Sequence, residues 1–274
     1  MKLFGISCGI VLSLSLTSLS LSACGGGSGS DNAPPIKDPS QSIGTAGIFD
    51  IQYGQFSGIY TFLDNGEFYG LHFVGGAGVA GHPHGKLSAS NSTASMERIS
   101  WANFIDDEKM VGAQEMNGQF GRTFGPSSLN VRITGSMGTF SAIANSQKAY
   151  GDGSTKTLYK DALPMSVLAG TYTGVMRSVG IDKPKQSVSG LIIDANGSFT
   201  VSVASCAFSG KLVQYGVTGV FNTQVNTSGS ECGIKAELKG VVVPTGVVAN
   251  SHMLAFLLNT ADNNQTVVFY VSKN

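Results

Sequence analysis

The chain is short of charge. Only 12% of its 274 residues are Asp, Glu, Lys or Arg, and basic and acidic residues balance at 17 each. A nucleic-acid binder needs a basic patch, and an electrostatic membrane binder needs a cluster of Lys and Arg; neither occurs here. Catalytic signatures are also missing beyond the N-terminal apolar run: there is no G-x-S-x-G elbow, no H-E-x-x-H zinc motif and no P-loop. Helical periodicity is absent beyond the N-terminal apolar run, apart from a turn or two around 161–168. Tryptophan occurs once, at Trp101, and cysteine only four times.

What is abundant is glycine, at 37 residues, set among short alternating runs. Phe56, Gly58, Tyr60 and Phe62 alternate with smaller neighbours, Asp64-Asn65-Gly66 follows, and Phe68 to Val74 resumes the run. Asn-Gly between two such runs is a strong hairpin signal. The same reading makes Asn117-Gly118 a turn, and places others at Gly135 to Gly138, Asp194 to Gly197 and Asp262 to Asn264. Short strands spaced about ten residues apart predict an all-β chain of sandwich or barrel type. A faint repeat divides it. Gly58-Ile59-Tyr60-Thr61, Asn65-Gly66-Glu67-Phe68 and Gly85-Lys86-Leu87 recur as Gly170-Thr171-Tyr172-Thr173, Asn196-Gly197-Ser198-Phe199 and Gly210-Lys211-Leu212, though the spacers differ. The expected architecture is two tandem small antiparallel β-barrel or β-sandwich domains, 46–155 and 156–274, after a flexible tether.

The N-terminus carries the sharpest signal. Lys2 precedes an almost unbroken apolar and small-residue run that ends in Leu21-Ser22-Ala23-Cys24, followed by Gly25-Gly26-Gly27-Ser28. A positive start, a short apolar segment and small residues before a cleavage point define a secretory signal. With Cys directly after Leu-Ser-Ala, the stretch resembles the lipobox of bacterial lipoproteins. That resemblance implies removal of residues 1–23, acylation of Cys24, and membrane attachment through the N-terminal lipid. Gly25, rather than Asp, in the next position implies the outer membrane by the rule of enteric bacteria. Residues 24–45, rich in Gly and Ser and then Pro, read as the tether, with a coil-like reach of roughly 20–25 Å. Cys8 leaves with the signal and Cys24 is taken by lipid. Cys206 and Cys232 then remain as the thiols of an oxidising compartment, where a disulfide is expected. The second half, with Gly-x-Tyr-x-Gly, a hairpin, Cys-x-Phe-x-Gly and a later Cys, loosely resembles uncharacterised β-rich envelope lipoproteins of Gram-negative bacteria, a likeness that implies no activity.

Few side chains invite chemistry. His82-Pro83-His84, between Gly81 and Gly85, reads as an exposed loop, with His72 one hairpin arm earlier. These three are weak candidates for a metal site, since a catalytic zinc needs three protein ligands and a water. Asp106-Asp107-Glu108 reads as a solvated turn and Trp101 as a core or interface anchor. Gly75-Gly76-Ala77-Gly78 reads as a flexible connection, for want of the helix and lysine that a phosphate cradle requires. No catalytic residue, cofactor or nucleic-acid partner is expected. The expectation is a lipid-anchored envelope binding or structural module whose partner is a protein or a glycan. The alternative is a metal-dependent envelope hydrolase built on His72, His82 and His84.

Overall fold

The computed structural model describes residues 46–274, apart from stretches at 54–55, 76–77, 91–92, 105–110, 122–128, 136–137, 148, 151–155, 182–183, 230–231, 235 and 249–250. Side chains within 52–56, 87–101, 105–148 and 247–248 also fall outside the description. The lipobox, Cys24, the tether and Asp106-Asp107-Glu108 lie outside the described residues. The described residues form one compact unit.

The chain is all-β, with sixteen strands and a single four-residue helix among the described residues. The N-terminal half supplies β1 (Gly47–Tyr53), β2 (Phe56–Phe62), β3 (Glu67–Val74), β4 (Gly78–Ser90), β5 (Thr93–Asn103), β6 (Val111–Gly121), β7 (Leu129–Gly135) and β8 (Gly138–Gln147). These pair antiparallel in chain order, and β1 returns to β8 through Phe49↔Gln147, Ile51↔Ala144 and Gln52↔Ile143. The helix α1 (Met165–Leu168) follows. Then come β9 (Gly170–Val179), β10 (Lys185–Ile193), β11 (Ser198–Val203), β12 (Cys206–Gln214), β13 (Phe221–Ser228), β14 (Leu238–Val248), β15 (Ser251–Thr260) and β16 (Thr266–Lys273). This second set is a closed eight-strand antiparallel barrel, with β16 pairing back onto β9.

The C-terminal barrel is filled. Alternation on β11 buries Phe199, Val201 and Val203 and turns Ser198, Thr200 and Ser202 to solvent. Inside, Phe199, Phe208, Phe256 and Phe269 meet edge to face, with centroids 5.1 to 6.0 Å apart. Burying each such ring stabilises by about 1.5–3 kcal/mol. Both ends are stopped. At one, α1 places Leu168 in the core, and Tyr172 donates to the Leu168 carbonyl at 2.6 Å. At the other, Cys206 and Cys232 are joined in a disulfide, as expected from their isolation in sequence. The Ser/Thr outer face of β11 is the reverse of the lipid-facing apolar band of a membrane-spanning barrel.

A second apolar cluster lies between the two sheets. Ile48, Ile59, Leu63, Tyr69, Leu71, Val79, Ala102 and Phe104 from the first meet Val179, Val241, Val243, Ala255, Leu257 and Val268 from the second. On β15 and β16 both faces are therefore buried: Leu254, Phe256 and Leu258 point into the barrel, while Ala255 and Leu257 point at the other sheet. The connection between the sheets joins this cluster through Tyr150, Leu158 and Tyr159. Gly219 lets it approach closely, because a Cβ there would sit 1.9 Å from the Leu158 carbonyl oxygen.

The hairpin turns fall at Asp64–Gly66, Asp194–Gly197 and Asp262–Asn264 as predicted. Gly135 and Gly138 face each other across β7 and β8. Asn117-Gly118 does not turn the chain; β6 runs straight through it, with Asn117 opposite Thr134 and Gly118 opposite Ile133. Asn-Gly favours a turn only where the flanking segments can pair with each other, and here the preceding flank pairs with β5 and the following one with both β5 and β7.

Candidate functional site

His82-Pro83-His84 is not an exposed loop. It lies in β4, and His82 is 1% exposed. The physical reason is a β-bulge. Register shifts between His72↔Gly81 and Phe73↔Val79, so β4 carries one extra residue at Ala80. Past the bulge, the parity of the strand places His82 and His84 on the side of Leu71 and Tyr69, facing the C-terminal barrel. Pro83 goes to the opposite face, where it fills the space left by Gly70, whose Cβ would meet Pro83 Cγ at 2.5 Å. Pro83 has no N–H to offer β3. The Gly70 carbonyl is taken instead by His82 Nδ1 at 2.6 Å.

That bond fixes the imidazole. A carbonyl only accepts, so Nδ1 carries the proton and Nε2 is the acceptor. Nε2 then receives the Asn259 side-chain N–H at 3.1 Å, and the Asn259 carbonyl oxygen receives the Thr266 hydroxyl at 2.8 Å. One hydrogen-bond chain thus runs from β16 through β15 into β4 and β3, crossing the apolar cluster between the sheets. Burial lowers the His82 pKa to about 3, so the ring is neutral at pH 7. His84 stacks on Tyr69 with centroids 4.6 Å apart, and burial lowers its pKa as well.

His72 faces the other way. Ile59, Tyr69 and Leu71 point into the inter-sheet cluster, so Tyr60, Phe68 and His72 occupy the inner face of the N-terminal sheet. There the Tyr60 hydroxyl lies 2.5 Å from His72 Nε2, among Phe62 and Phe68. Burial lowers the His72 pKa to about 3 and raises that of Tyr60 well above its usual value, leaving a neutral pair.

The metal site suggested by sequence is therefore not assembled. His72 lies on one face of the sheet and His82 with His84 on the other, and both His82 nitrogens are engaged in hydrogen bonds. Among the described residues no group of three or more His, Cys, Asp or Glu side chains converges to hold a metal. Gly76, Gly78 and Gly81 do have the spacing of a dinucleotide-binding fingerprint, but the segment links strand β3 to strand β4, with no helix whose N-terminus could meet a pyrophosphate. Trp101 lies on β5 opposite Pro83, and its side chain is outside the description. A shallow cleft of about 270 Å³, counting its open mouth, lies by the disulfide against Met176, Ile181, Gln186 and Val203.

The polar residues that matter most went unremarked in the sequence. Asn259 closes the apolar run Leu254 to Leu258, and a polar residue ending a strand buried on both faces was the available signal. Tyr215 and Asp64 form a second link between the sheets, the phenol donating to Asp64 Oδ1 at 2.6 Å. Burial and the Asp64 carboxylate push the Tyr215 phenol up. The arrangement couples the two sheets. No sequence model of a known protein family matches the chain, and no curated protein matches it.

Proposed function

We propose that this is a lipid-anchored envelope protein that works by binding or scaffolding rather than by catalysis, carrying two tandem β-barrels, 46–155 and 156–274, on a tether from Cys24. The observation that carries the reading is the C-terminal barrel. Its interior is filled with aromatic side chains and stopped at both ends by α1 and the Cys206–Cys232 disulfide. A filled barrel whose uncovered strand β11 turns Ser and Thr outward is a rigid body that holds its loops in place, and recognition then belongs to loops and surface. The lipobox supports the outer membrane as the site of attachment, and the disulfide agrees with an oxidising compartment. His82 supports the same reading, because its hydrogen bonds tie the two sheets together. The partner in this proposal is an envelope protein or a glycan.

The first test is labelled palmitate given to cells expressing the wild-type chain or Cys24→Ala. Label in the wild type alone, in the outer-membrane fraction, supports anchoring. An unlabelled wild-type product in the culture medium overturns it. The second is cross-linking in intact envelopes, followed by mass spectrometry of what is joined to the barrels. Reproducible capture of one protein or glycan supports a binding role. Hydrolysis of an envelope substrate by the purified chain, lost with His82→Ala, overturns it.

A further inference from the structure

We propose that the contact between the N-terminal sheet and the C-terminal barrel is an acid-released joint, with His82 as the group that releases it. The inference stands whether or not Cys24 is acylated. Its basis is the one-way polarity of the hydrogen-bond chain. Thr266 donates to Asn259, Asn259 donates to His82 Nε2, and His82 Nδ1 donates to the Gly70 carbonyl. The Asn259 link needs Nε2 unprotonated, so the chain closes only on a neutral imidazole. A proton added at Nε2 would set an N–H against the Asn259 N–H. Turning the amide over would offer an oxygen, yet a full positive charge would remain inside an apolar cluster, where an unpaired charge is costly.

The surroundings provide no relief. From β3, Tyr69 stacks at 6.5 Å and His72 lies across the sheet; from β4, His84 stands at 6.3 Å. From β5 the opposite residue is Ala102, β15 and β16 bring Asn259 and Thr266, and β9 brings the buried Arg177 opposite Val268, itself a cation that offers a charged ring no counter-charge. Both neighbouring histidines oppose charging of His82, and no described carboxylate acts on it. Glu67 acts on His84 and Tyr69, while Asp64 is held by Tyr215. The cheapest way to hydrate a charged His82 is to lift Asn259 away, which opens the contact between the sheets. His82 thus prefers its charged form only in the open state. Below the ordinary histidine value of about 6.5, the open state gains about tenfold per pH unit relative to the closed one.

Spin labels at Ser57→Cys and Ser202→Cys in the full-length chain report the joint directly. A single distance is expected at pH 7.5, with a longer one growing as the pH falls from 6 to 4 while both sheets keep their far-UV signal. His82→Gln, whose amide can donate to Gly70 and accept from Asn259, is expected to stay closed throughout. Asn259→Asp, which gives the charged ring a carboxylate, should stay closed at pH 5. A wild type with one unchanged distance down to pH 4 overturns the proposal, as does His82→Gln opening over the wild-type range. If His82→Gln does not fold, the imidazole ¹⁵N shifts of wild-type His82 decide. Charging in step with the longer distance supports the joint, and charging in the closed form or opening while neutral refutes it.

Discussion

Inside the C-terminal barrel, four phenylalanines meet edge to face with no histidine or carboxylate among them, whereas the inner face of the N-terminal sheet sets Tyr60 and His72 among its phenylalanines. Both sheets pair their strands in chain order. The same connectivity therefore carries two different kinds of core. One is apolar, closed at its ends and stapled. The other depends on a buried hydrogen bond at its inner face and on a neighbour that covers its outer one. The difference predicts unequal responses to truncation, reduction and acid.

The largest expected effect comes from emptying the apolar core. Phe256 touches both Phe199 and Phe269 and is fully buried, so Phe256→Ala should cost about 3–5 kcal/mol. Denaturant unfolding followed by near-UV circular dichroism reads this. A loss below 1 kcal/mol would mean that the barrel collapses around the gap and that its filling is not what holds it. Next is the staple. The Cys206–Cys232 bond spans a separation of 26 residues, and the chain-entropy model assigns such a loop about 3.5 kcal/mol. Cys206→Ser/Cys232→Ser should lower the denaturation midpoint of the C-terminal barrel, and reduction of the wild type should reproduce it. An unchanged midpoint would remove the disulfide from the account of why this half is the more robust.

Much of this division could be read in the residues. On β11, Phe199, Val201 and Val203 alternate with Ser and Thr, and that strand has one face in water. On β15 and β16 the runs Leu254 to Leu258 and Val267 to Val271 hardly alternate, because a second sheet covers their outer face. Continuous runs beside alternating ones thus marked the side of the C-terminal barrel that is covered. The repeat was half legible. Phe68 stands opposite Gly85 and Phe199 opposite Gly210, so these pieces occupy corresponding hairpins, the first having longer arms. The Tyr60 and Tyr172 segments do not correspond, since β2 enters its hairpin directly and β9 is one strand removed. The histidine site was not legible. A single bulged residue, Ala80, decides which face His82 takes, and no local pattern announces a bulge. Asn117-Gly118 misled for a related reason: partners far along the chain outweighed a local turn preference.

Acid should separate the halves more gently. His72 has its pKa lowered to about 3 by burial, against about 6.5 in an unfolded chain. The unfolded state therefore binds the proton more readily, and stability falls as the pH drops from about 6.5 toward 3. From His72 alone the loss at pH 5 is about 2 kcal/mol. Hydrogen exchange, corrected for intrinsic rates, should show β2 and β3 losing protection between pH 7 and pH 5 while β11 and β12 keep theirs. Equal losses in both halves would break the contrast in core chemistry.

The smallest effect sharpens the comparison at its boundary. Tyr215, in the turn between β12 and β13, donates to Asp64, in the turn between β2 and β3, at 2.6 Å. A hydrogen bond to a carboxylate stabilises more than a neutral one, but this one lies near the surface, so Tyr215→Phe should cost about 1 kcal/mol. Because the link belongs to neither core, the cost should fall on the contact between the sheets. It should appear as faster exchange in the turn at Asp64–Gly66, with the midpoint of C-terminal unfolding unchanged. Were the C-terminal midpoint to fall by the same amount, the barrel would lean on its neighbour as much as the neighbour leans on it. The asymmetry drawn from the two interiors would then not extend to their shared face.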